Sequence, residues 1–225
     1  MSGIFIAIEG GEGAGKTSAM QAVCSHLEAT GHEVVRTREP GGTTGAESIR
    51  NILVTAGNEF EPMANMLLFA AARADHVTKV IAPAIANGKT VVTDRYMLST
   101  LAYQSAEAAM RDGEAAGVEM RSAIQQIHNM TAMLYPDVTI LLDIDPGIGL
   151  ARSLKRLANE NSNEGHYESK QLQFHRQVRE NFIRGYGESH NATIARIDAG
   201  LSEEEVKQHI ITALQDALER SRARG

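Results

Sequence analysis

Residues 10–18 read Gly-Gly-Glu-Gly-Ala-Gly-Lys-Thr-Ser and follow the apolar run Ile4-Phe5-Ile6-Ala7-Ile8. The spacing Gly10-x-x-x-x-Gly15-Lys16-Thr17 is that of a phosphate-binding loop. Glycines let successive backbone N–H groups curl around phosphate oxygens, and a helix starting behind them adds the positive end of its dipole. Gly10, Gly11, Gly13, Ala14, Gly15, Lys16, Thr17 and Ser18 are therefore the expected triphosphate contacts. The Lys16 ammonium can reach the β/γ oxygens, and the Thr17 hydroxyl can ligate Mg²⁺. A chance Gly-rich turn would need neither the strand before it nor the helix after it. Glu12 is the odd member, a negative charge in a loop suited to anions.

A magnesium ion needs an acidic neighbour. Asp94 closes the apolar run Thr90-Val91-Val92-Thr93, and Asp143 closes Val138-Thr139-Ile140-Leu141-Leu142 in the same way. Ligands gather at the carboxyl ends of parallel strands, so position alone does not choose between them. Arg95, a possible phosphate clamp, stands next to Asp94 and favours it, although an aspartate capping the next turn would look alike. A second basic group lies in Arg152-Ser153-Leu154-Lys155-Arg156. Arg152 and Arg156 form an i,i+4 pair and project from one side of a helix. An ordinary solvated face has the same spacing. The phosphate loop, with Lys16 as its only cation, favours a role at phosphate. The histidines show no metal-ligand spacing and read as scattered core or surface residues.

These residues must be held by alternating strands and helices. Strands are expected over residues 4–9, 33–37, 90–93, 138–143 and 193–198. Helices are expected over 17–30 and 46–54, and over 62–88 with a break or kink at Pro83. Residues 98–134 read as mostly helical, and Ser202-x-x-Glu205 is a capping box opening the last helix. Such alternation predicts an α/β fold with a parallel sheet covered on both faces.

The chain has 225 residues, 43% of them hydrophobic, enough for one sizeable core. A single domain over 1–225 is expected, with a lid segment at about 147–170 lengthened by the polar stretch 158–165. No apolar run approaches the roughly 20 residues that span a bilayer, and Met1-Ser2-Gly3 does not open a signal peptide. The lone Cys24 cannot form an internal disulfide, which fits a cytoplasmic protein. A net charge of −6 argues against nucleic-acid binding but leaves room for a small anionic ligand at a local basic cluster.

Four segments, in order, resemble the thymidylate kinase family. They are Phe5 to Ser18; Thr37-Arg38-Glu39-Pro40-Gly41-Gly42-Thr43; Asp94-Arg95-Tyr96 with Ser99-x-x-Ala102-Tyr103-Gln104; and Tyr135-Pro136-Asp137 before Leu142-Asp143. A fifth, Phe174-His175-x-x-Val178-Arg179, falls where the family has the helix after its lid. The resemblance implies a P-loop kinase fold, a three-layer sandwich with a five-stranded parallel sheet flanked by helices. It also implies transfer of the ATP γ-phosphoryl group to dTMP, giving dTDP and ADP, with Mg²⁺ as cofactor. By the same resemblance Phe69 stacks on thymine and Arg73 hydrogen-bonds its carbonyl. Thr100 and Gln104 lie near the base and Tyr103 near the deoxyribose. Arg95 binds the acceptor phosphate, with Arg38 and Arg50 as further candidates and Glu39 in the adjacent loop. Glu12 approaches the acceptor sugar near its 3′-hydroxyl. Lys16, Arg95, Arg152 and Arg156 become the catalytic cations, and the family's homodimer is implied. Read from spacing alone, Phe69 and Arg73 share a helix face, but so would a core phenylalanine beside a solvated arginine.

The chain departs from the family pattern at Leu154, at His166-Tyr167-Glu168 and at Ser105-Ala106-Glu107, where the family often carries glycines. Two alternatives stand beside dTMP phosphorylation, the first of them suggested by these departures. One is a kinase for dUMP or a modified deoxypyrimidine monophosphate. The other is a non-catalytic P-loop nucleotide switch, which would need no acceptor pocket.

Overall fold

Five short runs rich in β-branched residues make the sheet: Phe5–Gly10 (β1), Val34–Arg38 (β2), Thr90–Asp94 (β3), Val138–Asp143 (β4) and Thr193–Asp198 (β5). The structure is a computed structural model that describes residues 3–55, 60–160, 167, 170–187 and 193–224. All strand pairs are parallel, in the order β2-β3-β1-β4-β5, as the βαβ alternation predicts. All six residues of central β1 are buried. Ile6 and Ile8 point to one face, where they meet Val23, Leu27, Ile140 and Leu214. Phe5 and Ala7 point to the other and meet Met66, Ile81, Val91 and Ile124. Register sets Ile8 opposite Asp94 and Gly10 opposite Leu142. The strands thus deliver Gly10, Arg38, Asp94 and Asp143 to one edge of the sheet.

The helices are Lys16–Ala29 (α1), Thr44–Val54 (α2), Pro62–His76 (α3), Ala82–Ala86 (α4), Met97–Asp112 (α5), Glu114–Thr131 (α6), Pro146–Glu160 (α7), Leu172–Gly187 (α8) and Glu203–Arg224 (α9). The expected break near Pro83 takes the form of a π-helical turn, Val77–Ile81, between α3 and α4. That wider turn lies just ahead of the ring that brings no N–H to the ladder. The mostly helical region expected over 98–134 consists of two helices, divided at Gly113. The capping box forms: Glu205 N–H donates to Ser202 Oγ at 3.4 Å, and Ser202 N–H donates to Glu205 Oε2 at 3.0 Å.

Of the lid expected over 147–170, the structure describes α7, Tyr167 and Lys170. Most of the polar stretch, with His166, Glu168 and also His190, lies outside the described residues. The root of α7 meets the phosphate loop without intervening side chains. Gly13 has φ 64, and a Cβ placed there would lie 1.9 Å from the Gly149 carbonyl oxygen. One placed on Gly149 would lie 2.3 Å from the Glu12 carbonyl oxygen.

Candidate active site

The carboxyl ends of β1, β2 and β3 open into a cleft of about 540 Å³. One wall is the strand-loop-helix unit of β1 and α1. Gly13, Ala14, Gly15, Lys16, Thr17 and Ser18 line it as expected. Gly10 and Gly11 do not line the cleft; their carbonyls turn to Lys16 Nζ and accept from it at 3.2 and 2.9 Å. The ammonium is thereby folded over its own loop. Burial, with the nearby Arg95 charge, lowers the Lys16 pKa from the ordinary lysine value.

Arg95 crosses the floor of the cleft. It takes left-handed backbone at φ 66, and its N–H donates to the Ile8 carbonyl at 2.9 Å. Such a conformation in a non-glycine residue is stored strain of the kind found at functional sites. The guanidinium donates to Glu12 Oε1 at 2.8 Å, to Gly10 O at 3.1 Å and to Ser99 Oγ at 3.2 Å. It also lies 5.1 Å from the centre of the Tyr103 ring, whose hydroxyl donates to Glu12 Oε1 at 2.7 Å. Burial alone would raise the Glu12 pKa. The Arg95 and Lys16 charges and the Tyr103 hydroxyl outweigh it and hold the carboxyl at about 2.

Directly beneath sits Glu9, fully buried at the end of β1. Its Oε1 accepts from the N–H groups of Tyr96 and Ser99 at 2.9 and 3.1 Å, and its Oε2 accepts from Ser99 Oγ at 2.5 Å. The carboxyl occupies the start of α5, where the first N–H groups have no partners within the helix. Burial pushes its pKa up to about 7, against the pull of the Ser99 hydroxyl and Arg95.

The opposite wall comes from β2, α3 and α5. Phe69 and Arg73 of α3 both line the cleft. Arg73, buried, donates from Nε to Glu39 Oε2 at 2.7 Å and from Nη2 to Thr100 Oγ1 at 2.8 Å, and stands over the Tyr96 ring. Glu39, also buried, meets His76 Nδ1 at 3.1 Å through its second oxygen, and His76 Nε2 lies 2.6 Å from Thr37 Oγ1. Gly42 closes against this histidine, since a Cβ there would fall 2.4 Å from Nε2. The pair of sequence-expected residues, Glu39 and Arg73, therefore works as one ion pair buttressed by His76. Gln104 and Tyr103 of α5 line the same wall. Arg38 and Arg50 sit at the rim, one paired with Glu47 at 3.1 Å and the other donating to Pro40 O at 3.2 Å.

The two strand-end aspartates differ sharply. Asp143 accepts from Arg179 at 2.6 and 3.0 Å and from Arg196 at 2.6 and 3.1 Å. Asp94 faces the cleft, and its Oδ1 is buried with no hydrogen-bond partner. A buried carboxylate oxygen without a donor, in a cleft that Thr17 also lines, fits a hard cation that takes oxygen ligands. Among the described residues no group of three or more His, Cys, Asp or Glu could cage a metal alone. That suits magnesium, which uses one or two protein oxygens and completes its shell from water and phosphate.

From α7, Arg152 and Arg156 line the cleft together, while Leu154 and Lys155 are exposed. Arg152 donates to Ala199 O at 3.0 Å and Arg156 to Ser153 Oγ at 3.4 Å. Sequence reasoning missed Glu9, Ser99, Tyr96, His76 and Tyr167 as parts of the site. A carboxylate inside an otherwise apolar strand was the available signal for Glu9. His76 follows Arg73 by one turn of α3, which was the signal for it, but it read as one of several scattered histidines.

A family model described as thymidylate kinase matches residues 8–210. A thymidylate kinase of Cereibacter sphaeroides is 41% identical over 214 residues, covering 94% of each chain. One of Geobacter sulfurreducens is 42% identical over 196 residues, 85% of this chain and 88% of its own. The crystal structure of a thymidylate kinase from Ehrlichia chaffeensis superposes with a TM-score of 0.72 at 28% identity, covering 96% of this chain and 99% of that one. The chain belongs to the thymidylate kinase family.

Proposed function

We propose that this phosphotransferase moves the γ-phosphoryl group of ATP to dTMP, giving dTDP and ADP. The observation that carries this is the shape of the cleft: one wall is a phosphate loop, and the other offers an aromatic ring, buried polar side chains and arginines. A bare nucleotide switch has no use for the second wall.

Phosphoryl transfer needs placement and charge neutralisation more than a protein nucleophile. In our reading Lys16 leaves the Gly10 and Gly11 carbonyls for the β/γ oxygens, while the loop N–H groups hold the rest of the triphosphate. Arg95 binds the acceptor phosphate from below. Its anchoring to Glu12, Gly10 and Ser99 supports that role, because an arginine already oriented loses little freedom on binding. Glu12, ionised throughout the working pH range, accepts from the sugar 3′-hydroxyl. The Tyr103 ring fills the space a 2′-hydroxyl would need. Phe69 stacks on thymine, and Arg73, with Thr100 and Gln104 beside it, reads its polar edge. Arg152 and Arg156 bring positive charge from above as the phosphoryl group moves. Mg²⁺ would be held by Asp94 and Thr17, and there it would offset the charge on the β and γ oxygens.

We also read the chain as a single domain, 1–225, acting in the cytoplasm on small nucleotides rather than on nucleic acid. Among the described residues no helix is long and apolar enough to cross a membrane. A homodimer is supported by Ile52, Phe60, Met63 and Leu67, apolar side chains left exposed on and between α2 and α3.

The test is an acceptor panel. Purified protein with ATP and Mg²⁺ is offered dTMP, dUMP, dCMP, purine deoxymonophosphates and thymidine, and ADP release is followed. dTMP should give the highest kcat/KM. ADP release with another acceptor and none with dTMP would sink the assignment.

A further inference from the structure

Gln104 is 1% exposed, yet it lines the cleft. Its Nε2 donates to the Tyr167 hydroxyl at 2.8 Å and lies 3.5 Å from Glu107 Oε2, one helical turn further on. Glu107 is itself held from two other elements. Asn65 Nδ2 of α3 donates to its Oε2 at 3.0 Å, and Lys170 Nζ lies 3.9 Å from its Oε1. Among the described residues none donates to Gln104 Oε1.

Which end of a carboxamide faces which way is decided by its neighbours. A hydroxyl such as that of Tyr167 can accept or donate, so it tolerates either orientation. A carboxylate only accepts. Were Gln104 turned over, its oxygen would face the oxygen of Glu107. Glu107 therefore fixes the amide with its nitrogen toward Glu107 and Tyr167 and leaves the carbonyl oxygen for a ligand in the cleft.

We propose that Glu107 is the positioning residue for base selection, setting Gln104 Oε1 as an acceptor for a ring N–H. The inference rests on the dTMP reading of the cleft. Thymine and uracil carry a hydrogen at N3 and a carbonyl at C4. Cytosine has a lone pair at N3 and an amino group at C4. A fixed Oε1, in the cleft that the Arg73 donors also line, matches the first pattern at both atoms and opposes the second at both. Sites built on polar groups discriminate strongly because the wrong partner leaves them unpaired. Glutamate at 107 is thus an acceptor-only stop in a place where a residue able to donate would let the amide turn.

The test compares wild type, Glu107→Gln and Tyr167→Phe, each with ATP, Mg²⁺ and either dTMP or dCMP. Glu107→Gln keeps the shape but supplies a donor. The ratio of kcat/KM for dTMP over dCMP should fall about tenfold, most of it in KM. Tyr167→Phe removes the other partner of the amide but leaves the carboxylate in place, so its ratio should fall less than that of Glu107→Gln. Thermal unfolding checks that each variant folds, and Glu107→Ser carries the same ratio test should Glu107→Gln not fold. An unchanged ratio in a folded Glu107 variant overturns the assignment and leaves dTMP phosphorylation standing. Wild-type enzyme that prefers dCMP, or uses neither, overturns the parent reading and this one with it.

Discussion

The wall of the cleft that we assign to the triphosphate is one continuous piece of chain, Phe5 through Ala29. The facing wall draws single side chains from β2, α3 and α5, with Arg73 reaching Glu39 and Thr100 across 34 and 27 residues of sequence. The first is a local device, in which Gly10, Gly13 and Gly15 take positive φ. The second is a relay in which every group is oriented by another. Two carboxylates of the first wall reach beyond it. Glu12 holds Arg95, and Glu9 holds the start of α5. The difference teaches that affinity for the donor and selectivity for the acceptor can change separately, except through those two residues.

The largest break should come from Lys16→Ala. Turnover should drop roughly a thousandfold, with weakened ATP binding, read by ADP release and calorimetry. Arg95→Ala should cost dTMP turnover roughly a hundredfold or more yet keep ATP affinity within about threefold. Equal loss of ATP affinity in both variants would mean that the two walls are one site energetically.

Glu9 tests the crossing between them through pH. Its folded pKa of about 7 lies above the ordinary 4.5, so between those values the unfolded chain has released a proton that the folded chain still holds. Stability from this group is full below about pH 4.5 and is lost as pH rises to 7. Glu9→Gln has no such loss. Relative to wild type it should gain roughly 3 kcal/mol between pH 4.5 and 8, measured by urea unfolding. A stability difference that does not vary with pH would show that Glu9 titrates as an ordinary glutamate.

The smallest effect is expected from the lid. Arg152→Ala and Arg156→Ala should each lower kcat about tenfold with little change in either KM, because each charge acts only as the phosphoryl group moves. A larger rise in KM for dTMP would assign the residue to acceptor binding instead.

The contrast also explains what the sequence let a reader see. The phosphate loop, the parallel sheet and the final capping box were legible because each is a pattern within a few residues. Asp94 and Asp143 could not be ranked by position, since both end apolar strands. They separate only when Arg179 and Arg196, distant in sequence, occupy one and leave the other open. Glu9 meets Ser99 across 90 residues and His76 meets Glu39 across 37, beyond any local spacing rule. The helical character of 98–134 was legible from its composition, whereas the point of its division, Gly113, is a single glycine flanked by good helix formers.

The contact between Gly13 and Gly149 has a consequence for how such a protein can be rebuilt. Neither position has room for a single added carbon, so the two must be inherited together as they are. Beyond Gly149, α7 runs outward past Leu154 and Lys155, which face solvent. A foreign lid of different length or charge can therefore be grafted only downstream of that glycine. Upstream of it, lid and phosphate loop are one heritable part.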